Sequence, residues 1–216
     1  MSRHPLAAVL RQVEPASCPD RFNFHCHTQC SDGSLTPLEL ANQALELGLE
    51  QLAITDHHSL RAYGPIAEHF GRLADQGQAI PTLWRGVEIS CLLEGCLVHV
   101  LALGFGPEHE SLEPYLQGHA VVGPALRAEA VLEAIHAAEG LAVLAHPARY
   151  RLPHPQMIAA AAALGFDGGE AWYDYSMEGS WQPSPLVCEA IAADLERRGL
   201  LCSCGTDSHG FNLFAR

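Results

Sequence analysis

The chain has 216 residues, 48% apolar and 17% charged, which suits one domain and excludes a disordered segment. Its 25 acids against 12 bases give a net charge of −13, which argues against holding duplex nucleic acid through its phosphates. Every base is an arginine, so Schiff-base chemistry, a P-loop lysine and a carbamylated-lysine metal site are excluded as well.

The first apolar stretch is six residues long before Arg11, too short for a signal peptide. The longest, Met157 to Phe166, is about half a membrane span. The expectation is a cytoplasmic protein without membrane contact. Eight irregularly spaced cysteines read as buried, reduced thiols. Residues 1–21 are read as an N-terminal extension and 22–216 as a single catalytic domain.

In chain order, strands are predicted at Phe22–His25, Gln51–Thr55, Leu83–Ile89, Leu97–Gly104, Leu141–Ala145, Phe166–Trp172 and Leu200–Gly205. Most are continuous apolar runs, as parallel strands covered on both faces require. Thr36-Pro37-Leu38-Glu39 is a capping box that opens a helix closed by Gly48, with Leu38, Ala41 and Leu45 as its buried stripe. A further helix is predicted from about Pro65 to Gln76. Pro124 opens another, with Val131, Ile135 and Ala138 inward. Ser184-Pro185 opens the last, with Val187, Ile191 and Leu195 inward and Gly199 as its stop. The turn Leu93-Glu94-Gly95 implies a hairpin at an edge of the barrel. Seven strands with mostly helical crossovers predict an α/β fold, a distorted (β/α)7 TIM-like barrel.

Chemistry-bearing residues stand where these strands end: His25-Cys26-His27 with Asp32, then Asp56-His57-His58, Glu88, His99, His146 and Asp207-Ser208-His209. That end of an α/β barrel is where active sites are built. An H-x-H pair alone carries little, since 13 histidines in 216 residues yield about one by chance. Their joint placement is the signal. His25 and His27, two apart on a strand, face the same side and can share an ion, while Cys26 points away. Asp207 and His209 are read the same way.

The run His25-x-His27-Thr28, Ser31-Asp32-Gly33, Thr55-Asp56-His57, Gly86-Val87-Glu88, His99, Ala145-His146-Pro147 and Asp207-x-His209 resembles the PHP (polymerase and histidinol phosphatase) domain family over residues 22 to 210. It is most similar to stand-alone bacterial PHP phosphoesterases that act on nucleotides and short RNA. The resemblance implies a (β/α)7 barrel with a cluster of two or three divalent metal ions: manganese is favoured, with zinc and iron as alternatives. His25, His27, Glu88 and Asp207 would hold one ion. Glu88 would bridge to a second on His99 and His146, and Asp32, His57 and His209 would hold a third. Neighbouring divalent ions activate water and clamp the attacking and leaving oxygens of an in-line phosphoryl displacement. Glu88, Asp207 and Arg149 are the implied catalytic residues.

Arg149 is read either as a bidentate grip on a substrate phosphate or as a solvated loop arginine like Arg151. Asp56 either orients a ligand histidine or caps a helix; His58 is a general acid or a surface histidine; Glu170 and Tyr173 could line the mouth. Only 46 residues separate His99 from His146, too few for the long lid insertion of nucleotide-processing relatives, and seven follow His209. The implied function is hydrolysis of phosphomonoesters on a small phosphorylated substrate, a nucleoside monophosphate, a 3′,5′-bisphosphate or a short RNA 5′ end. The alternatives are a histidinol-phosphate-type phosphatase, an amidohydrolase-like metal hydrolase and a non-catalytic metal-binding module.

Overall fold

The computed structural model describes residues 4–106, 109–176 and 181–214. The extension 1–21 and the stretch between His99 and His146 therefore fall partly outside the described residues. Seven strands follow one another around a single sheet in chain order: β1 Phe22–Asn23, β2 Gln51–Ile54, β3 Thr82–Leu93, β4 Cys96–Leu103, β5 Leu141–Leu144, β6 Gly168–Trp172 and β7 Leu201–Cys204. The seam between β7 and β1 is drawn together by Phe24 N–H to the Cys204 carbonyl at 3.0 Å, Asp207 N–H to that of His25 at 2.7 Å, and a bridge between Cys26 and Ser208. Below these contacts, Asn23 accepts from Thr206 N–H and donates to its hydroxyl. The result is a nearly closed, distorted barrel.

Among the described residues, six α-helices wrap it: α1 Pro5–Leu10, α2 Pro37–Glu46, α3 Tyr63–Asp75, α4 Ala128–Ala137, α5 His154–Leu164 and α6 Pro185–Arg197. The Thr36–Glu39 capping box forms in both directions, as its residues dictate. Its stripe is rotated from the expected one: Leu40, Ala41 and Ala44 are buried, and Leu38 is 41% exposed. Pro124 opens only a short 3-10 turn, Gly123–Leu126. Arg127 then turns extended, and α4 begins at Ala128. Helices α1 and α5 have no counterpart among the predicted elements. Leu6, Ala7 and Leu10 of α1 are buried in one core cluster with Leu101, Leu103 and Val143, so the N-terminal extension is packed against the barrel.

The hairpin is not at an edge. β4 pairs antiparallel with β3 on one side and with β5 on the other, and Glu94-Gly95, both at positive φ, make its two-residue turn. Alternation on β4 sends Val98, Val100 and Ala102 to the cluster shared with α4, and Leu101 and Leu103 to the cluster shared with α1. His99 has the parity of the second set and points with it into the barrel. All eight cysteines are free, and seven strands bury a core in which no helix among the described residues is long and apolar enough to cross a membrane.

Candidate metal centre

Two close approaches build the site. Gly205 lies against His25, where a Cβ would stand 2.6 Å from the histidine's backbone nitrogen, so β7 and β1 can bring Asp207 to His25 only with glycine there. Gly33 is pressed onto the backbone of His27 in the same way, 2.6 Å for a Cβ, which folds Asp32 back over the cluster. His58, His146 and Asp207 carry positive φ (51°, 27° and 49°), a costly conformation for residues with side chains. Asp207 and His209 therefore do not continue β7 as an extended pair; they sit on the turn beyond it.

Glu88, buried in the middle of β3, is the hub. His25 Nε2 and His27 Nε2 lie 3.1 Å from its Oε2 and His57 Nδ1 3.5 Å from it, while His99 Nδ1 and His146 Nε2 lie 2.8 and 3.3 Å from Oε1. Asp207 Oδ1 is 3.3 and 3.2 Å from His25 and His27. Asp32 faces His209 at 3.3 Å, His27 at 3.6 Å and His57 at 3.8 Å. Three sets of donor atoms are close enough for one ion each: His25, His27, Glu88 and Asp207; His27, Asp32, His57 and His209; and His57, Glu88 and His99. All nine predicted ligands thus converge, although His146 reaches Glu88 without joining the third set. His99 arrives from the first half of an antiparallel strand, not from a strand's C-terminal end.

This donor set fits divalent ions. His27 Nε2, His99 Nδ1 and His146 Nδ1 are buried without a hydrogen bond, and the first two point at carboxylates. Glu88, Asp207 and Glu170 are buried carboxylates, with Arg149 the guanidinium beside Asp207. Buried charge of that kind needs compensation, which dications supply and neutral imidazoles do not. Burial disfavours the charged form of every group here, but neighbours override it at the centre: the histidines hold Glu88 and Asp207 well below the usual carboxylate range. His25 is lifted well above a free imidazole, and His27 is lifted to about 9 by Asp207 and Glu88. His57, by contrast, is pushed down to about 4 by burial, and His146 is lowered by it too.

Around the hub, Tyr173 Oη donates to Asp207 Oδ2 at 2.7 Å and accepts from Arg149 Nη1 at 2.9 Å. That anchors one end of the Arg149 fork; no hydrogen bond engages its other nitrogens among the described residues. Asp56 neither orients a ligand histidine directly nor caps a helix. Its carboxylate accepts from Thr28 N–H, the Thr28 hydroxyl and the Ser31 hydroxyl, each at 2.7 Å, and so fixes the turn that carries Asp32. His58 is buried and not at the surface. Ser90 N–H donates to its Nε2, so the ring proton is on Nδ1, which donates to the Tyr115 carbonyl. Glu170 and Tyr173 do not line the mouth; both are buried beneath it.

The model of the PHP domain family matches residues 23–141, more than half of the chain. The chain belongs to the PHP domain family. Its PHP sequence is 36% identical over 95 residues to the 5′-3′ exoribonuclease Rnm of Escherichia coli, covering 44% of this chain and 31% of that one. It is 31% identical over 142 residues to the 5′-3′ exoribonuclease of Haemophilus influenzae, 60% of this chain and 50% of that protein. The 3′,5′-nucleoside bisphosphate phosphatase of Chromobacterium violaceum is 36% identical over 91 residues, 42% and 30%. The chain thus spans between about a third and a half of the length of each of these three relatives. Among solved structures, a candidate metal-dependent phosphoesterase of Bifidobacterium adolescentis superposes with a TM-score of 0.72 at 22% identity, over 94% of each chain. A Chromobacterium violaceum amidohydrolase with bound sulfate also superposes at 0.72 and 22%, over 88% of each chain. These likenesses agree on the PHP fold.

The PHP centre opens into a cleft of about 470 Å³ lined by six of the cluster residues with Leu97, Arg149 and Tyr150. No described residue of 104–127 lines it. That segment packs sideways, with Leu112 and Tyr115 in the outer cluster and Leu92 bridged to Arg127. Trp172 lines a different cavity, with Leu10 and Leu201. Glu170 and Tyr173 thus hold His25, Arg149 and Asp207 from beneath, where the sequence suggested a place at the mouth. The available signal was an acid inside an otherwise apolar strand.

Proposed function

We propose that this PHP domain, residues 22–216, is a metal-dependent phosphoesterase that removes phosphate from nucleotides, a 3′,5′-bisphosphate or a nucleoside monophosphate, or acts at short RNA 5′ ends. The observation that carries this reading is the convergence of five imidazoles on Glu88 beside an arginine held at one end of its fork by Tyr173 and Asp207, at the floor of an open cleft. His25, His27, Asp32, His57, Glu88, His99, His146, Asp207 and His209 would hold two or three ions, manganese our first choice with zinc or iron as alternatives, since mixed imidazole and carboxylate ligation suits all three better than magnesium. Bound together, such ions supply electrophilic stabilisation of a phosphoryl group and activation of water.

The chain's own residues do the rest. Arg149 meets the non-bridging oxygens with charge-assisted hydrogen bonds, and Tyr173 aims it by accepting one of its protons. Glu88 and Asp207 are held ionised by the surrounding histidines, so they ligate as anions at neutral pH. Leu97 and Tyr150 offer an apolar side to the cleft against which the remainder of the substrate rests. The net charge of −13 disfavours duplex nucleic acid, and eight free thiols suit the reducing cytoplasm.

The matched portions of an exoribonuclease and a bisphosphate phosphatase support nucleotide substrates. The likeness to a structure described as an amidohydrolase keeps that reaction as the second reading, on fold alone. The test is manganese-loaded protein assayed on a 3′,5′-bisphosphate, a 5′-phosphorylated RNA trimer, histidinol phosphate and a cyclic amide. Release of phosphate from the first two is expected. Amide hydrolysis without phosphate release would overturn the proposal.

A further inference from the structure

We propose that Glu170 is a positioning residue that couples two ion sites of the PHP centre. Glu170 stands in β6, completely buried. Its Oε1 and Oε2 lie 3.1 and 3.2 Å from His25 Nδ1, and its Oε2 also accepts the backbone N–H of His146 at 2.8 Å. The first contact keeps the proton of His25 on Nδ1 and presents Nε2 to Glu88 and Asp207, as a ligand nitrogen must be presented. The second holds the backbone of His146 at φ 27°, where the chain would not otherwise rest. One carboxylate therefore orients a ligand of the His25 set and the main chain of a ligand on the opposite oxygen of Glu88.

Charge and shape both matter at this position. Both of its partners are donors, so a carboxylate can satisfy them together. A glutamine has one acceptor oxygen, and its NH2 would face either His25 Nδ1–H or His146 N–H. An aspartate keeps the charge but is one methylene too short for both contacts. Glu170 has no arginine in contact among the described residues, and its ion pair is with His25. A carboxylate behind an imidazole raises the basicity of the nitrogen that binds the ion.

The inference rests on the metal-binding part of the reading above and not on its substrate. It is tested by titrating metal-stripped protein with Mn²⁺ in a calorimeter, for wild type, Glu170→Gln and Glu170→Asp, with the melting temperature of each stripped protein alongside. Glu170→Gln should weaken the tightest Mn²⁺ site by about 10–100-fold. The visible spectrum of the Co²⁺ form should change with it, because His25 would no longer be held in one tautomer. Glu170→Asp should lose less and show the wild-type Co²⁺ spectrum. Unchanged Mn²⁺ affinity in both variants, with only a lower melting temperature, would mean that Glu170 merely fills the barrel, and the proposal would fail. If Glu170→Gln does not fold, Glu170→Asp decides: Mn²⁺ affinity equal to wild type overturns the proposal. Wild-type protein that binds Mn²⁺ but cleaves no phosphoester would overturn the phosphoesterase reading and leave the role of Glu170 standing.

Discussion

Gly205 touches His25 so closely that no side chain fits between them: the Cβ of any other residue would run into the Cβ of His25. This contact is what lets the last strand deliver Asp207 to the first. Gly205→Ala should therefore cost stability by more than the ~1–3 kcal/mol typical of overpacking. It should also lower metal content, because His25 or Asp207 must move aside. Urea denaturation and elemental analysis check both; a fully stable, fully loaded variant would contradict the packing argument.

Metal removal should be costly. At least two divalent ions per chain are expected after gentle purification or manganese reconstitution, given three donor sets sharing Glu88, His27 and His57. Chelation should lower the melting temperature, since ions that bind only the folded state stabilise it by mass action. Fewer than one ion per chain after reconstitution contradicts a multinuclear centre.

Glu88→Gln should damage turnover more than Arg149→Ala. Five imidazoles face the Glu88 carboxylate, and losing its charge removes the shared ligand of two donor sets. Arg149 contributes charge-assisted hydrogen bonds, ~1.5–3 kcal/mol, to a substrate phosphate. Steady-state kinetics at matched metal loading check the order, and Arg149→Ala should act chiefly on kcat/KM.

The stripped protein should lose stability as pH rises, and the loaded protein should not. Burial alone would lower His27, but Asp207 and Glu88 lift it to about 9 in the ion-free fold. A raised pKa stabilises the fold fully below about 6.5, the unfolded value, and the gain is lost as pH rises through 9. Its size is at most ~3.4 kcal/mol at 1.36 kcal/mol per pKa unit. Ions compete with those same protons, so their affinity rises over that window. The melting-temperature gap between loaded and stripped protein should widen from pH 6.5 to 9. A constant gap would show that His27 carries no proton for an ion to displace.

Substrate preference should be modest. No described residue of 104–127 lines the cleft, so contacts from that segment with remote parts of a substrate are few, and such contacts are what discriminate. Stacking on Tyr150 remains available; stacking on Trp172 does not, because it lies in another cavity. A kcat/KM for one compound about a thousandfold above all others, ~4 kcal/mol, would refute the open-cleft argument.

Much of this protein was legible in its residues. Short apolar runs, the capping box at Thr36 and the glycine stops are local chemistry, and they specify strands and helix ends without reference to the rest of the chain. The nine candidate ligand positions were legible because residues able to ligate recur at or near the predicted strand ends, although Glu88 and His99 stand inside their strands. What depended on distance in sequence was not. The rotation of α2 that exposes Leu38, the interior place of β4, and the packing of α1 against the barrel depend on which surface each element meets. The role of Glu170 depends on it most. Nothing in residues 168–172 says that His25, 145 positions away, will lie 3.1 Å from that carboxylate. Local sequence sets which conformations are cheap; only barrel closure decides which buried donor an acid will face, because a buried charge is tolerable only beside its partner.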